Sequence, residues 1–359
     1  MKHTHQVLLG CAVAAALLLS ACGMGGSSSS GGKGNSGSSS MGSTSGSGSS
    51  GMTSSNQDNA SPPGALRTGL GVVTTTVDDH RTGKLNTVAA AVLLDADGRL
   101  LDVVIDELET SISADGNGAV TMPSDYRTKR QRGDSYPLAA ASSLNRSWPE
   151  QADAFGSYLR GMTGEQVEKL ETDKDGKPTD ADLLSGCTIA VETYRDAVVK
   201  ACSQAKALGA AQGDTLALGM AAVNASSSLS ATDDQDVNAE VDVTMAVLTT
   251  DDKGHVTSAL CDVAEPGFTV GQDGGVVAPE QVRTNCEQGD DYGMRKASAL
   301  GKEWYEHAEG FSSYLKGKTA SQIAAIPDDG SDADLAALCT ISTTELQKAV
   351  LDALDSAKA

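Results

Sequence analysis

The chain contains one unit twice, and that duplication limits its architecture more than any other feature. WPEQADAFGSYLRGMT (148–163) matches WYEHAEGFSSYLKGKT (304–319) at nine of sixteen positions, with both tryptophans of the chain, Trp148 and Trp304, in register at an offset of 156. The same offset pairs Gly98 with Gly254, Asp106 with Asp262, Thr128 with Thr284, and Tyr136 with Tyr292. Nearer the end the offset falls to 152, pairing Cys187-Thr188-Ile189 with Cys339-Thr340-Ile341, so one loop is four residues shorter in the second copy. A period of this size is that of a domain, which makes the chain a tandem duplication and excludes a solenoid.

Each copy reads as strands first and helices after. Val72–Thr76, Thr87–Leu94 and Leu100–Ile105 are β-branched or aliphatic runs, with an Asp97-Gly98 turn before the last. Val241–Leu248 and Val256–Val263 repeat the pattern around Lys253-Gly254. Trp148, Ala152, Phe155 and Leu159 mark one face of a helix. Tyr194, Ala197, Val198, Ala201 and Cys202 mark a second, repeated by Leu346, Ala349, Val350, Ala353 and Leu354, with Ser342 and Glu345 spaced as a capping box. The expected class is α+β: two tandem domains, residues 61–210 and 211–359, each a small antiparallel sheet followed by helices. Cleavage near Ala207–Thr215 is expected to leave two folded halves, each with its own core.

The duplication does not include the start. Residues 1–22 have a basic beginning at Lys2, an apolar stretch over 7–19, and Leu19-Ser20-Ala21-Cys22. This is a secretory signal layout, and its end resembles a bacterial lipobox, which implies diacylation of Cys22. Residues 23–60 hold 11 Gly and 15 Ser and read as a flexible tether with an r.m.s. reach of roughly 30–35 Å. The expected location is therefore the extracytoplasmic face of the cell membrane, held by the N-terminal lipid. Residues 61–359 carry a net charge of −22, which argues against nucleic acid as a partner because a phosphate-binding surface needs clustered cations.

The chemistry centres on the segment before each last helix. Copy one reads Asp182-Leu183-Leu184-Ser185-Gly186-Cys187-Thr188. This segment, together with Asp97-Gly98-Arg99-Leu100 and Asp106, resembles the FMN-binding domain family, which includes flavin-carrying subunits of Rnf and Na⁺-translocating quinone reductase complexes and tandem-domain surface lipoproteins of Gram-positive extracellular electron transfer. The resemblance implies covalent FMN, esterified through its phosphate to Thr188 and, in copy two, to Thr340. It also implies a Mg²⁺-dependent flavin transferase that uses FAD, and a redox partner the sequence does not identify. Asp182, Ser185, Gly186 and Asp334 are the accompanying motif positions. A hydroxyl at a helix start would place the phosphate near amide N–H groups and the positive dipole end, and Gly186 would allow a sharp turn. Copy two departs with Ala337-Leu338 in place of Ser185-Gly186, so Thr188 is expected to be modified more efficiently than Thr340.

Other residues divide between core and site. Tyr136 and Tyr292 are candidate ring contacts, whereas the tryptophan and phenylalanine of the amphipathic helix read as core. Lys129 and Arg130 could meet a phosphate; copy two has Asn285 and Cys286 there. Cys261 and Cys286 form the one disulfide candidate. His80, His255 and His307 read as isolated and solvated. Asp95-x-Asp97-Gly98 and Asp173-x-Asp175-Gly176 lack the spacing of a calcium loop and read as turns. The expected function is electron relay by a flavoprotein that performs no substrate chemistry of its own. The alternative is a surface interaction lipoprotein whose flavin fold carries no cofactor.

Overall fold

The computed structural model describes residues 64–357; the signal, Cys22 and the tether lie outside them. Repeat one begins with β1 (Arg67–Asp79), β2 (Thr82–Leu94), β3 (Leu100–Ala114) and a short β4 (Val120–Thr121), antiparallel neighbours in that order. Helices α1 (Lys129–Arg132), α2 (Trp148–Leu159), α3 (Gly164–Glu168), α4 (Ala181–Leu184) and α5 (Glu192–Gln204) follow. Repeat two has β5 (Thr215–Asn224), β6 (Val237–Thr250), β7 (Val256–Ala264), β8 (Gly267–Val270) and β9 (Val276–Val277), then α6 (Asn285–Gln288), α7 (Trp304–Leu315), α8 (Ala320–Ala324), α9 (Ala333–Ala336) and α10 (Thr344–Ser356). The α+β class holds, and the strands run longer than the apolar runs that announced them. The long β3 has no single counterpart: Glu265-Pro266 divides the equivalent stretch into β7 and β8. Proline has no N–H for the ladder, and β6 pairs with β7 along one half and with β8 along the other.

Strand β2 shows how the layers stack. Every residue from Thr87 to Leu94 is buried. Val88, Ala90, Val92 and Leu94 pack outward against Trp148, Phe155 and Leu159 of α2 and Tyr194, Ala197 and Val198 of α5. Leu85, Ala89, Ala91 and Leu93 face the other way, into a core shared with Val241, Val243, Met245 and Val247 of β6. Repeat two mirrors this, with Ala246 and Leu248 turned to Trp304, Phe311, Leu346 and Val350. The order is helices, sheet, sheet, helices, and a sheet covered on both faces needs unbroken apolar strands. The last helix lies directly on the first strand in both repeats. A Cβ on Gly71 would stand 2.0 Å from the Ala197 carbonyl oxygen, and one on Gly219 would stand 2.1 Å from that of Ala349.

Polar contacts pin the two sheets together. Thr68 Oγ1 and Ser258 Oγ lie 2.8 Å apart, and Ser258 Oγ lies 2.6 Å from Thr249 Oγ1, all three residues fully buried. At one edge Lys200 donates to the Val72 carbonyl at 2.6 Å and pairs with Glu287. The equivalent edge uses other chemistry: Met220 N donates to Asp352 Oδ2 at 3.0 Å, and Gln131 Nε2 donates to the Met220 carbonyl at 2.9 Å. The described residues form one compact unit. Each repeat has an outer core of its own, but the inner core belongs to both.

The capping box expected at Ser342 does not form. The N-cap of α10 is Thr343, which makes no side-chain cap bond. Capping boxes occur instead at α1, through Thr128 and Gln131, and at its counterpart α6, through Thr284 and Glu287.

Separation of the halves would expose the inner face of each sheet to water, at roughly 25 cal/mol per Å² of apolar surface. A single cut between residues 207 and 214 should therefore leave fragments that co-elute in size-exclusion chromatography under native conditions. Elution as two monomeric folded halves would show that the shared core is dispensable.

Candidate functional site

In repeat one the sheet and helices leave a cleft of about 620 Å³. Asn86 on β2, Glu107 on β3, Lys129 on α1, Trp148 on α2 and Tyr194 on α5 line it, with Tyr136, Ser142, Lys177, Thr188 and Thr193 from the loops and helix starts. Glu107 continues the outward-facing register of Val103 and Ile105, so its carboxylate enters a layer otherwise apolar and needs partners there. Lys129 Nζ pairs with it at 2.8 Å and with Glu109 at 3.4 Å. Tyr194 OH donates to Glu107, and Trp148 Nε1 donates to Tyr194 OH at 3.1 Å. The Trp148 and Tyr194 rings meet edge to face, centroids 5.9 Å apart. The Lys129 ammonium stands 5.1 Å from the Tyr136 ring centroid and 6.0 Å from that of Trp148.

Burial pulls the Lys129 pKa down, but the Glu107 carboxylate outweighs it and the net direction is up, so the cation is held. Burial and then Glu107 push the Tyr194 phenol well above its ordinary value, so it stays a donor. The Asn86 Oδ1 atom is buried and has no hydrogen-bond partner. An aromatic-walled cleft with a fixed cation and a spare acceptor suits a planar, anionic ligand.

Thr188 lies in the connection between α4 and α5, and α5 begins only at Glu192, after an N-cap at Val191 that makes no side-chain cap bond. It is therefore not at a helix start, contrary to expectation, and it caps nothing. Its backbone N–H and its hydroxyl both donate to Gln151 Oε1, at 2.9 and 3.1 Å. Gln151 is fully buried on α2, where its Nε2 donates to Ser142 Oγ at 3.0 Å and to the Arg146 carbonyl at 3.1 Å. Of the expected site residues, Thr188 and Tyr136 share the cleft. Asp182 and Ser185 are exposed on α4 and its C-cap, where Ser185 Oγ donates to the Asp182 carbonyl at 2.7 Å. Lys129 faces the cleft, whereas Arg130 turns to Asp153 and the Ile105 carbonyl.

Gly186 has a different role from the one expected. It is not among the glycines with positive φ; it is small because a Cβ there would stand 3.0 Å from the Ala154 Cβ. Repeat two exchanges the sizes. Leu338 replaces Gly186, Gly310 replaces Ala154, and a Cβ on Gly310 would stand 2.4 Å from the Leu338 carbonyl oxygen. The loop backbone survives the exchange: Cys187 N donates to the Leu183 carbonyl at 2.9 Å, and Cys339 N to the Leu335 carbonyl at 2.8 Å.

The walls, not the loop, distinguish repeat two. Asn285, Val263 and Leu346 stand where Lys129, Glu107 and Tyr194 stand in repeat one, so the buried ion pair is gone. Asp242 replaces Asn86, and its Oδ1 is likewise buried and unpartnered. Burial, then Glu265 and Glu240, push the Asp242 pKa up to about 7. Tyr292 donates to Glu265 at 3.4 Å, so it sits in an acidic setting. Thr340 and Asp334 are exposed. His307 is fully buried, not solvated: Ser298 Oγ lies 2.8 Å from its Nε2, and Thr340 N donates to its Nδ1 at 3.2 Å. Burial and then Lys302 hold its pKa below the ordinary imidazole value. His255 is not isolated either, with Nδ1 3.1 Å from Asp251.

Cys261 and Cys286 are free thiols; Cys286 Sγ donates to the Cys261 carbonyl at 3.7 Å, which replaces the expected disulfide. Asp95 and Asp173 spend a carboxylate oxygen on nearby backbone N–H groups, the geometry of turns. Among the described residues, no group of three or more His, Cys, Asp or Glu is placed to hold a metal ion, and no helix is long and apolar enough to cross a membrane.

Comparisons with known proteins place little of the chain. It is similar to a chlorophenol reductase of Desulfitobacterium hafniense, 33 % identical over an 84-residue alignment, with 19 % of this chain and 25 % of that protein covered. The chain thus spans about a quarter of the length of that curated relative. No family model matches the chain, and no solved structure matches it.

The two unpartnered carboxamide and carboxylate oxygens give a direct comparison. Asp242 has a raised folded-state pKa, so its penalty is absent below the unfolded pKa near 3.8 and grows as pH rises to about 7. Asp242→Asn, which installs the residue of repeat one, should stabilise the protein at pH 8 by about 1–2 kcal/mol after allowance for solvent screening, and by almost nothing at pH 4. Urea titrations at the two pH values check this; equal effects at both would remove the electrostatic explanation.

Proposed function

We propose that the chain is a membrane-anchored extracytoplasmic flavoprotein that relays electrons through FMN esterified to Thr188. The observation that carries this reading is the position of the Thr188 hydroxyl on the wall of the aromatic, lysine-containing cleft of repeat one. Bound FMN would supply one- and two-electron redox chemistry. The residues present fit it. Tyr136 and Trp148 offer ring faces and edges, the unpartnered Asn86 Oδ1 can accept an imide N–H, and Lys177 and Lys129 can balance anionic charge. Esterification removes the hydroxyl proton, but the bond from Thr188 N to Gln151 remains to hold the loop. Outside a cell a dissociable flavin would be diluted away, which favours a covalent link. A flavin transferase would install it, and a redox partner of unidentified kind would exchange electrons with it. The short stretch of likeness to a protein named a reductase is in keeping with redox chemistry and carries no more than that.

The acidic surroundings of Asp242 in repeat two disfavour a phosphate-bearing ligand. For that repeat the cofactor-free alternative has the better support, and one flavin per chain is the expected stoichiometry.

Intact mass of protein produced with an active flavin transferase should show one FMN adduct, lost in Thr188→Ala. That variant should remain folded, because a hydroxyl hydrogen bond is worth about 1 kcal/mol. A wild-type chain with no adduct would overturn the reading.

Anchoring is tested separately at Cys22. Cys22→Ser should move the protein from the membrane fraction to the medium, since a Gly/Ser tether has no membrane affinity of its own. Unchanged retention would overturn the lipid anchor.

A further inference from the structure

Resting on the flavoprotein reading, we propose that one position on the amphipathic helix, Gln151 in repeat one and His307 in repeat two, sets how readily the threonine beside it accepts the flavin, over and above the difference in the cleft walls. Both side chains are fully buried and both are fixed from behind by a serine hydroxyl, Ser142 or Ser298. Both accept the backbone N–H of the threonine ahead of them. They differ in what is left over.

The orientation of the Gln151 amide follows from its neighbours. Its Nε2 donates to the Arg146 carbonyl, which can only accept, so Oε1 must be the atom facing Thr188. A carboxamide oxygen has two lone pairs. One takes the Thr188 N–H at 2.9 Å and the other takes the Thr188 hydroxyl at 3.1 Å. The hydroxyl proton is thereby directed toward α2, and the oxygen's own lone pairs are left for an electrophile.

His307 cannot do both. Its Nδ1 accepts the Thr340 N–H at 3.2 Å, so that nitrogen is unprotonated and Nε2 carries the hydrogen, which it donates to Ser298 Oγ. An imidazole nitrogen offers one in-plane lone pair, and the backbone has taken it. The Thr340 hydroxyl is left without an orienting acceptor from His307. The size exchange at Gly186 and Leu338 is neutral in this respect, because it leaves the loop backbone unchanged.

The reaction being directed is a phosphoryl transfer from FAD. The Thr188 Oγ–P bond forms, the P–O bond of the FAD anhydride breaks, and AMP leaves with the bridging oxygen. The hydroxyl proton passes to a base of the transferase, since an amide oxygen is too weakly basic to keep it. Gln151 is thus a positioning residue and exchanges no proton itself.

The test uses the full chain, a flavin transferase and FAD, with intact mass and peptide mapping as readouts. Gln151→His, which copies the residue of repeat two, should slow loading of Thr188 at least tenfold. His307→Gln should raise loading of Thr340 at least tenfold and produce a second adduct, a gain that loss of folding cannot mimic. Ala337→Ser with Leu338→Gly, which copies the loop of repeat one, should leave Thr340 loading unchanged. Thr188 loading unaffected by Gln151→His, no response of Thr340 to His307→Gln, or efficient loading through the loop exchange alone would each overturn the positioning role while flavin at Thr188 stands. No adduct on the wild type would overturn the flavoprotein reading itself, and the positioning role with it.

Discussion

The contact between the inner faces of the two sheets is the constraint on which the rest depends. A sheet of four or five strands with helices on one side leaves its other face apolar, and a domain of this size cannot leave such a face in water. Here each repeat covers the other. That explains why Leu85, Ala89, Ala91 and Leu93 are as buried as their outward-facing neighbours, and why Val88–Leu94 of β2 and Met245–Leu248 of β6 are apolar without alternation. It also fixes α5 and α10 from beneath. Their backbones rest on Gly71 and Gly219 because the strands under them cannot recede into a core already filled from the far side.

A duplicated fold with a shared core lets its two sites diverge without losing the frame. The structural pairs stay alike: Asp106 and Asp262 are both buried, both accept from the first turn of the following short helix, and both are pushed up to about 6, chiefly by burial. The cleft pairs do not. Lys129, Glu107 and Tyr194 form a buried network whose members need one another, because a buried charge left alone costs several kcal/mol. Repeat two replaces all three together, with Asn285, Val263 and Leu346. Loss of the whole network is far less costly than loss of one member, and that is the form the divergence takes.

The elements with strong periodicity were legible in the sequence. The α2 and α7 stripes, the last helices and the central strands lie where their apolar spacing put them, because each has a face that only a core accepts. Strand β5 and the division of β3's counterpart by Pro266 were less so, since β5 is rich in Ala and Gly and has no run of β-branched residues. The sheet-on-sheet contact was not inferred, although strands apolar on both faces are its signature. At the site, Thr188, which the motif singled out, lines the cleft, whereas its neighbours Asp182 and Ser185 lie exposed on α4 and its C-cap. Gln151 and Glu107 carried a signal that went unread. Each is a polar residue in an apolar register, Gln151 between Trp148 and Phe155 on the helix face, and Glu107 after Val103 and Ile105 on the strand. A polar group in such a place must find partners, and those partners define the site.

The charge balance gives the cleft its character. The folded part of the chain is strongly acidic, so an anionic ligand approaches against the overall field. A cation exposed at the surface would do little to offset this, since water and salt screen it. Lys129 is nearly buried, paired with Glu107 and Glu109 and set among aromatic rings, so the cleft wall carries a balanced ion pair and not a free cation. Repeat two lacks that lysine, and burial, then Glu265 and Glu240, push the Asp242 pKa up to about 7. The two repeats thus set different charges at matching positions of the same fold, and the difference rests on a handful of side chains.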